Sequence, residues 1–478
     1  MTAPRVRRHE VPSHSHVSAA NGVLAAAIRL AKRGRLAKRR AAAGSDAEAG
    51  MARLTTGRLR VAAPAPADLG MAPPLVFDSA AKLASPLWAT QSRSRELVVA
   101  RDFETAYGEV LPEVRVTVEQ WGDTTLGPDR TVAVFPSFSH GHHVAANASD
   151  PSPGWWDGMV GPGRWLDTNR FRVVCSSVLG SPMGSTCPRS VDPRTGRPYR
   201  MAFPTVTTAD QARVHALAHD AIGLPSVHAV VGASLGGMQA LQFATLFPER
   251  ASRLAAFVST GQTSPASVAL RRVQRQAIMA DPAWHGGDYE DRTGPDAAGP
   301  VAGLRVAREV GMMVYRSREE FDRRFDWSAT GGPRPGDETF EVESYLSYQG
   351  AKFARGGAMD ANSYLMLSKC MDLHSIANPR LFPGNTFEAA AAGIAADSLL
   401  VGVQQDMLTP AAELRKLAKA IRAGGGSARF KELSSEFGHD AFLKEFDAMG
   451  PLLRAHLERG IEHELGLEEV HTTGLSQP

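Results

Sequence analysis

A serine, an aspartate and a histidine follow one another along this chain in an order that suits acyl transfer. Ser234 lies in Gly232-Ala233-Ser234-Leu235-Gly236-Gly237, between the apolar run over 227–231 and a helical stretch beginning at Met238. Gly-x-Ser-x-Gly between a strand and a helix is a nucleophile elbow: glycines permit a sharp turn, and the serine is raised above the sheet in a strained conformation. By itself the pentapeptide also describes a tight turn, so its partners carry the argument. A serine hydroxyl is a weak nucleophile until a base takes its proton, and the base needs a third group to fix its tautomer. Asp406 follows the apolar run 399–403, at the end of a strand where catalytic loops sit, whereas Asp397 falls at the opposite end. His439 follows the last expected strand, in Phe437-Gly438-His439-Asp440. The order serine, aspartate, histidine is the one this arrangement demands.

Acyl transfer also needs two N–H donors aimed at the oxyanion. The residue after the nucleophile, Leu235, supplies one, and Phe138 is assigned the other, in the loop Pro136-Ser137-Phe138-Ser139-His140. His140, His142 and His143 share that stretch, but no carboxylate or cysteine stands at ligand spacing beside them, and no metal is expected.

Elements able to position these residues are legible from about residue 95 onward. Short β-branched and apolar runs separated by turn residues predict strands over 96–101, 114–121, 131–136, 171–176, 227–231, 254–258, 398–403 and 429–433. Between 263 and 378 this pattern stops, and helical stretches such as 268–279 and 302–315 replace it. The expected fold class is α/β: an α/β-hydrolase fold, a mostly parallel sheet with an inserted helical cap over the carboxyl ends of the strands. The expected divisions are a basic leader over 1–95, the core over 96–262, the cap over 263–390, and the rest of the core with a tail over 391–478. The Gly- and Pro-rich tract 331–336 and the Ala-rich tract 389–396 are expected to be loops or linkers. No internal repeat is present, which argues against a solenoid.

Composition narrows the function classes. The 478 residues carry a formal net charge of only +3, with basic residues gathered near the N-terminus, so nucleic acid is not an expected partner. The 3 cysteines lack C-x-x-C spacing and suggest neither a disulfide framework nor a zinc site. No run approaches the roughly 20 continuous apolar residues of a membrane span. The first 60 or so residues are rich in Ala, Arg, Ser and His and poor in acids, the composition of a mitochondrial transit peptide. A disordered basic tail is the alternative, and a start at Met51 would leave a shorter cytoplasmic form.

Beyond the elbow, the chain resembles the homoserine O-acetyltransferase family, which includes related homoserine and serine O-acetyl- and O-succinyltransferases. The resemblance spans about 114–453. It is carried by Gly154-Trp155-Trp156-Asp157-Gly158, Leu166-Asp167-Thr168-Asn169-Arg170-Phe171, Gly303-Leu304-Arg305-Val306-Ala307-Arg308, Tyr315-Arg316-Ser317, Asp360-Ala361-Asn362-Ser363-Tyr364 and Gly438-His439-Asp440-Ala441-Phe442. What it implies is a ping-pong acyltransferase using acetyl-CoA or succinyl-CoA as co-substrate, with no bound cofactor and a homodimeric assembly. Family substrate-binding positions fall on Arg308 and Asp440, a guanidinium for an amino-acid carboxylate and a carboxylate for its ammonium. Read alone, either charge is equally a structural one, and Tyr315 is either pocket lining or core.

The segments Phe135-Pro136-Ser137-Phe138-Ser139-His140 and Leu367-Ser368-Lys369-Cys370-Met371-Asp372-Leu373, with the leader, are more similar to the serine O-acyltransferase branch of fungal mitochondria than to bacterial homoserine acetyltransferases. L-serine and L-homoserine both stay open as acceptors, since one methylene is worth only about 1–3 kcal/mol in a pocket. A succinyl donor would need an extra cation near the pocket, which the sequence does not single out. Two other classes share parts of the pattern: an esterase or thioesterase, with the triad but no need of an amino-acid clamp, and a catalytically silent scaffold.

Overall fold

Strands that are apolar at every position belong inside a sheet covered on both sides. The computed structural model describes residues 94–289, 299–329, 331–357 and 359–461. The leader, apart from its last two residues, and the end of the tail lie outside that set. Eight strands, β1 (Ser94–Glu104), β2 (Val110–Trp121), β3 (Thr131–Phe135), β4 (Arg172–Ser176), β5 (Val227–Ala233), β6 (Ala251–Phe257), β7 (Asp397–Val403) and β8 (Ala428–Leu433), form one sheet. Its order is β1-β2-β4-β3-β5-β6-β7-β8. The first two strands run antiparallel to their neighbours, and the remaining pairings are all parallel. All eight expected strands are present, with ends shifted by a few residues.

Alternation along the strands divides the core into two layers. Val132 and Val134 of β3 face one way, with Trp156, Phe171, Val231, Phe257, Val401 and Phe442. Ala133 and Phe135 face the other, with Val230, Phe243, Leu254, Leu400, Leu414 and Leu417. Helices α1 (Thr208–Ala221) and α2 (Leu235–Leu246) lie within the core portion of the chain.

The strand pattern lapses where helices α3 (Pro265–Ala280), α4 (Val301–Tyr315), α5 (Arg318–Arg324), α6 (Glu341–Arg355) and α7 (Ala361–Asp372) follow one another. Ser264 starts α3 by accepting the Ser267 N–H, with Pro265 at the first helical position, and Asp360 starts α7 in the same way through Ser363. Ile278, Leu304, Ala307, Tyr364, Leu367 and Met371 from these helices pack on Leu235 and Met238 of α2, so the cap rests on the helix that follows the nucleophile.

The Ala-rich tract departs from expectation. Instead of a linker, residues Phe387–Ala392 form helix α8, started by Thr386, which accepts the Ala389 N–H. Ala390, Ala391, Ile394 and Ala396 are buried in the same layer as Leu414 and Leu417 of α9 (Ala411–Ala423), so this segment is core rather than cap. Alanine fits there because a methyl group lets a short helix approach its neighbour closely. The tract 331–336 carries neither helix nor strand. The chain ends, within the described residues, with α10 (Phe446–Glu458). No helix among the described residues is long and apolar enough to cross a membrane.

Candidate active site

The turn between β5 and α2 is sharper than an ordinary side-chain-bearing backbone allows. Ser234 has φ 55° and ψ −123°, a conformation that costs about 1–3 kcal/mol and persists only where its surroundings enforce it. Two glycines enforce it by close approach: a Cβ on Gly232 would stand 2.2 Å from the Gly236 carbonyl group, and one on Gly236 would stand 2.1 Å from the Phe135 carbonyl oxygen. The Ser234 N–H donates to the Phe257 carbonyl at 3.0 Å, which ties the elbow to β6.

Three segments converge here. Asp406 follows β7 and His439 lies in the short 3₁₀ turn Gly438–Leu443 that follows β8, both at the carboxyl ends of parallel strands. His439 Nε2 is 2.8 Å from Ser234 Oγ, and its Nδ1 is 2.8 Å from Asp406 Oδ2. All three residues are buried. An aspartate accepting from Nδ1–H leaves Nε2 to accept the serine proton, the tautomer a general base requires. Asp406 is itself fixed: the Leu408 and Thr409 N–H groups donate to Oδ1, each at 2.8 Å, and the Thr409 hydroxyl donates to Oδ2 at 2.7 Å. Burial opposes the charged form of His439, but the Asp406 carboxylate, by charge and hydrogen bond, and the nearby Asp440 more than offset it and raise the ring's pKa above its ordinary value. Asp397, the rival acid, starts β7 at the other end and accepts the Ser427 hydroxyl at 2.6 Å.

Leu235 is the first residue of α2, so its N–H has no carbonyl one turn earlier within the helix. Phe138 lies in the loop after β3, and its ring meets Tyr364 edge-on at 4.9 Å between centroids. Phe138 and Tyr315 help to line a small cavity together with Arg271, Gln274, Tyr364, Ser368, Met371 and Leu408. The Tyr315 ring is 6.1 Å from His439, and burial pushes its hydroxyl pKa up.

The two expected substrate-binding charges do not meet each other. Arg308 projects from α4 with its guanidinium 5.4 Å from the Tyr315 ring and 5.0 Å from the Phe353 ring, and its Nε is buried without a hydrogen-bond partner among the described residues. Asp440 instead accepts from Arg316 Nε at 2.9 Å. Arg316 is a cap residue in a quoted motif, yet nothing in its spacing marks Asp440 as its partner.

His140 bonds Ser137 and stacks on Trp155 at 4.8 Å, with burial, aided by the charge of Arg308, lowering its pKa to about 4. His142 bonds Ser177 at 3.1 Å. His143 takes a carboxylate from far along the chain: Glu119 of β2 lies 3.1 Å from its Nδ1. The fold, not the local sequence, brings that acid in. Among the described residues no three His, Cys, Asp or Glu side chains cluster as metal ligands would.

Residues 152–446 match the alpha/beta hydrolase fold family. The chain is 40% identical over 368 residues to the homoserine O-acetyltransferase of Symbiobacterium thermophilum, covering 76% of this chain and 92% of that protein. It belongs to the homoserine O-acetyltransferase family. Serine O-succinyltransferases are similarly near: that of Litchfieldella anticariensis is 39% identical over 355 residues, covering 73% of this chain and 94% of its own. Among solved structures, the homoserine O-acetyltransferase of Bacillus anthracis superposes with a TM-score of 0.70 at 26% identity, covering 77% of this chain and 98% of the other. The chain is therefore an acyltransferase of the α/β-hydrolase fold.

Within this acyltransferase, one cavity residue had no signal in the sequence. Arg271 of α3 is 3% exposed, and its Nε donates to Asp372 Oδ1 at 2.8 Å. Asp372 also accepts Arg275 Nη2 at 2.5 Å, so two guanidinium groups share one carboxylate and the cluster keeps one uncompensated positive charge. Arg271 Nη2 is buried without a hydrogen-bond partner among the described residues. Arg271 looks like part of the solvated face of an amphipathic helix until α7 brings Asp372 over it.

Proposed function

We propose that this enzyme transfers a succinyl group from succinyl-CoA to the side-chain hydroxyl of an amino acid, L-serine in preference to L-homoserine. Ser234 attacks the thioester carbonyl while His439 takes its proton, and the N–H groups of Leu235 and Phe138 receive the oxyanion. CoA leaves as its thiolate accepts that proton. The acceptor hydroxyl then gives its proton to His439, attacks the acyl-enzyme, and Ser234 leaves with the proton restored. Arg308 holds the acceptor's carboxylate and Asp440 its ammonium.

The observation that carries the choice of acyl group is the second buried cation. Succinyl transfer to an amino acid brings two carboxylates to the site, and acetyl transfer brings one. Arg308 answers the acceptor's carboxylate, and Arg271, on the cavity wall with an unsatisfied Nη2 and a surplus positive charge, answers the succinyl carboxylate. Preference for serine rests on the likeness of the 135–140 and 367–373 segments to the serine branch.

An assay crossing serine and homoserine with acetyl-CoA and succinyl-CoA tests this reading. Succinyl-CoA with serine is expected to give the highest kcat/KM. A larger value for acetyl-CoA would overturn the donor assignment, and a larger one for homoserine the acceptor assignment. Failure of intact-mass measurement to show a Ser234-dependent acyl adduct would overturn the mechanism.

A further inference from the structure

The two proposed oxyanion donors sit on separate pieces of chain: Leu235 opens α2, and Phe138 lies in the loop after β3. Their spacing must hold to a few tenths of an ångström, because donors serve only when aimed at the position the oxyanion will occupy. Gln239 spans the gap. It is fully buried on α2, one turn after Leu235, and its Nε2 donates to the Pro136 carbonyl at 3.2 Å. Pro136 stands two residues before Phe138.

A glutamine amide can turn over, and the neighbouring residues prevent it. The Pro136 carbonyl only accepts, so the amide nitrogen must face it and the amide oxygen must face His215, whose Nε2 lies 2.5 Å away. His215 Nε2 therefore carries the hydrogen, and Nδ1 accepts the Ser176 hydroxyl at 2.6 Å. Phe135, the last residue of β3, stacks on the His215 ring at 4.2 Å and 8°. The chain Ser176, His215, Gln239, Pro136 is thus a buried line of donors and acceptors from β4 through α1 and α2 to the oxyanion loop. Burial, only partly opposed by the bond to Gln239, lowers the His215 pKa to about 4 and keeps the ring neutral, as the pattern requires.

We propose that Gln239 is a positioning residue for the oxyanion hole: its amide, oriented by His215, sets the separation between the segments that carry Leu235 and Phe138. This rests on the reading of Ser234 as nucleophile. Gln239 touches no reacting atom and acts through the Pro136 peptide.

The test uses the full chain and a p-nitrophenyl ester, whose burst of nitrophenolate reports acylation of Ser234 without reference to the natural donor or acceptor. A wild-type enzyme that gives no burst sinks the nucleophile reading, whatever Gln239 does. Given a burst, Gln239→Met is expected to acylate about 30-fold more slowly with unchanged affinity for the ester, since a misaimed donor costs part of the 10²–10³-fold that losing one costs. Gln239→Glu is the discriminating variant. Its protonated acid can donate to Pro136 and accept from His215 as the amide does, whereas its carboxylate accepts from His215 but has no proton to give Pro136, and burial raises its pKa. The ratio of variant to wild-type acylation rate is therefore expected to rise at least fivefold between pH 8 and pH 5.5. A Gln239→Met rate within twofold of wild type, or a Gln239→Glu ratio flat with pH, overturns the proposal. Should Gln239→Met not fold, the Gln239→Glu ratio decides alone.

Discussion

Thr409 and His439 donate to the same carboxylate oxygen: Oδ2 of Asp406 receives the threonine hydroxyl at 2.7 Å and the imidazole Nδ1 at 2.8 Å. The other oxygen is held by two backbone N–H groups, so the acid cannot rotate without losing several bonds at once. Replacing Thr409 with valine keeps the shape and removes one of these restraints. Thr409→Val is expected to lower kcat about 3- to 10-fold with little change in KM, whereas Asp406→Asn, which supports the wrong tautomer, is expected to cost about 10⁴-fold. Steady-state kinetics on the two variants checks both.

The acid limb of activity follows from the raised pKa of His439. Below that pKa the ring is protonated and cannot take the serine proton, so kcat/KM for the acyl donor rises with pH through a value above about 6.5, the ordinary histidine pKa. Asp440 is one source of the elevation. Asp440→Asn is accordingly expected to move the limb to lower pH while raising KM for the amino acid. A pH profile of kcat/KM for each protein tests this, and an unmoved limb in the variant would contradict it.

Arg271→Met separates donor choice from catalysis. Hydrogen bonds to charged groups are worth about 1.5–3 kcal/mol. The variant should therefore lose roughly 10- to 100-fold in kcat/KM with succinyl-CoA and change little with acetyl-CoA, because Asp372 keeps Arg275 as its partner. Equal losses with the two donors would return Arg271 to a purely structural role.

Acid destabilises this fold through buried histidines that touch no reacting atom. Burial lowers the pKa of His215, His228 and His374 to about 4 and that of His456 to about 3. In the unfolded chain each binds a proton below about 6.5, so their contribution is complete above that pH and declines as pH falls toward 4. Glu119 and Asp210, whose pKa values burial raises, act in the opposite direction. With more histidines than such acids, the net loss is on the order of a few kcal/mol. Urea midpoints at pH 7.5 and pH 5 should differ accordingly, and His456→Gln should narrow the difference.

What the sequence revealed and what it hid divide by range of interaction. The elbow is visible because its glycines are contiguous, and Asp406 and His439 are visible because each follows a strand at the end where open α/β sheets place their ligands. The strands themselves are visible because interior strands are mostly apolar, with polar residues gathered toward their ends. Arg271 was hidden, since its partner Asp372 stands on another helix and its helix reads as an ordinary amphipathic one. The Glu119 and His143 pair was hidden because β2 delivers the acid from a distant segment. Arg316 was visible as part of a motif, but its bond to Asp440 was not. The Ala-rich tract was misread because a helix of small residues and a flexible linker share a composition, and only Thr386 at its start hinted at the difference.

Because α3 to α7 are inserted between β6 and β7, the cationic groups proposed to choose a substrate are encoded apart from those proposed to transform it, with Asp440, beside the catalytic histidine, the exception. Arg271, Arg308 and Tyr315 all fall within α3 and α4, while the serine, the acid and the histidine all hang from the sheet. A gene segment running from α3 to α7 can therefore diverge, or be exchanged with that of a relative, and redirect which metabolites react while the machinery of transfer is inherited unchanged.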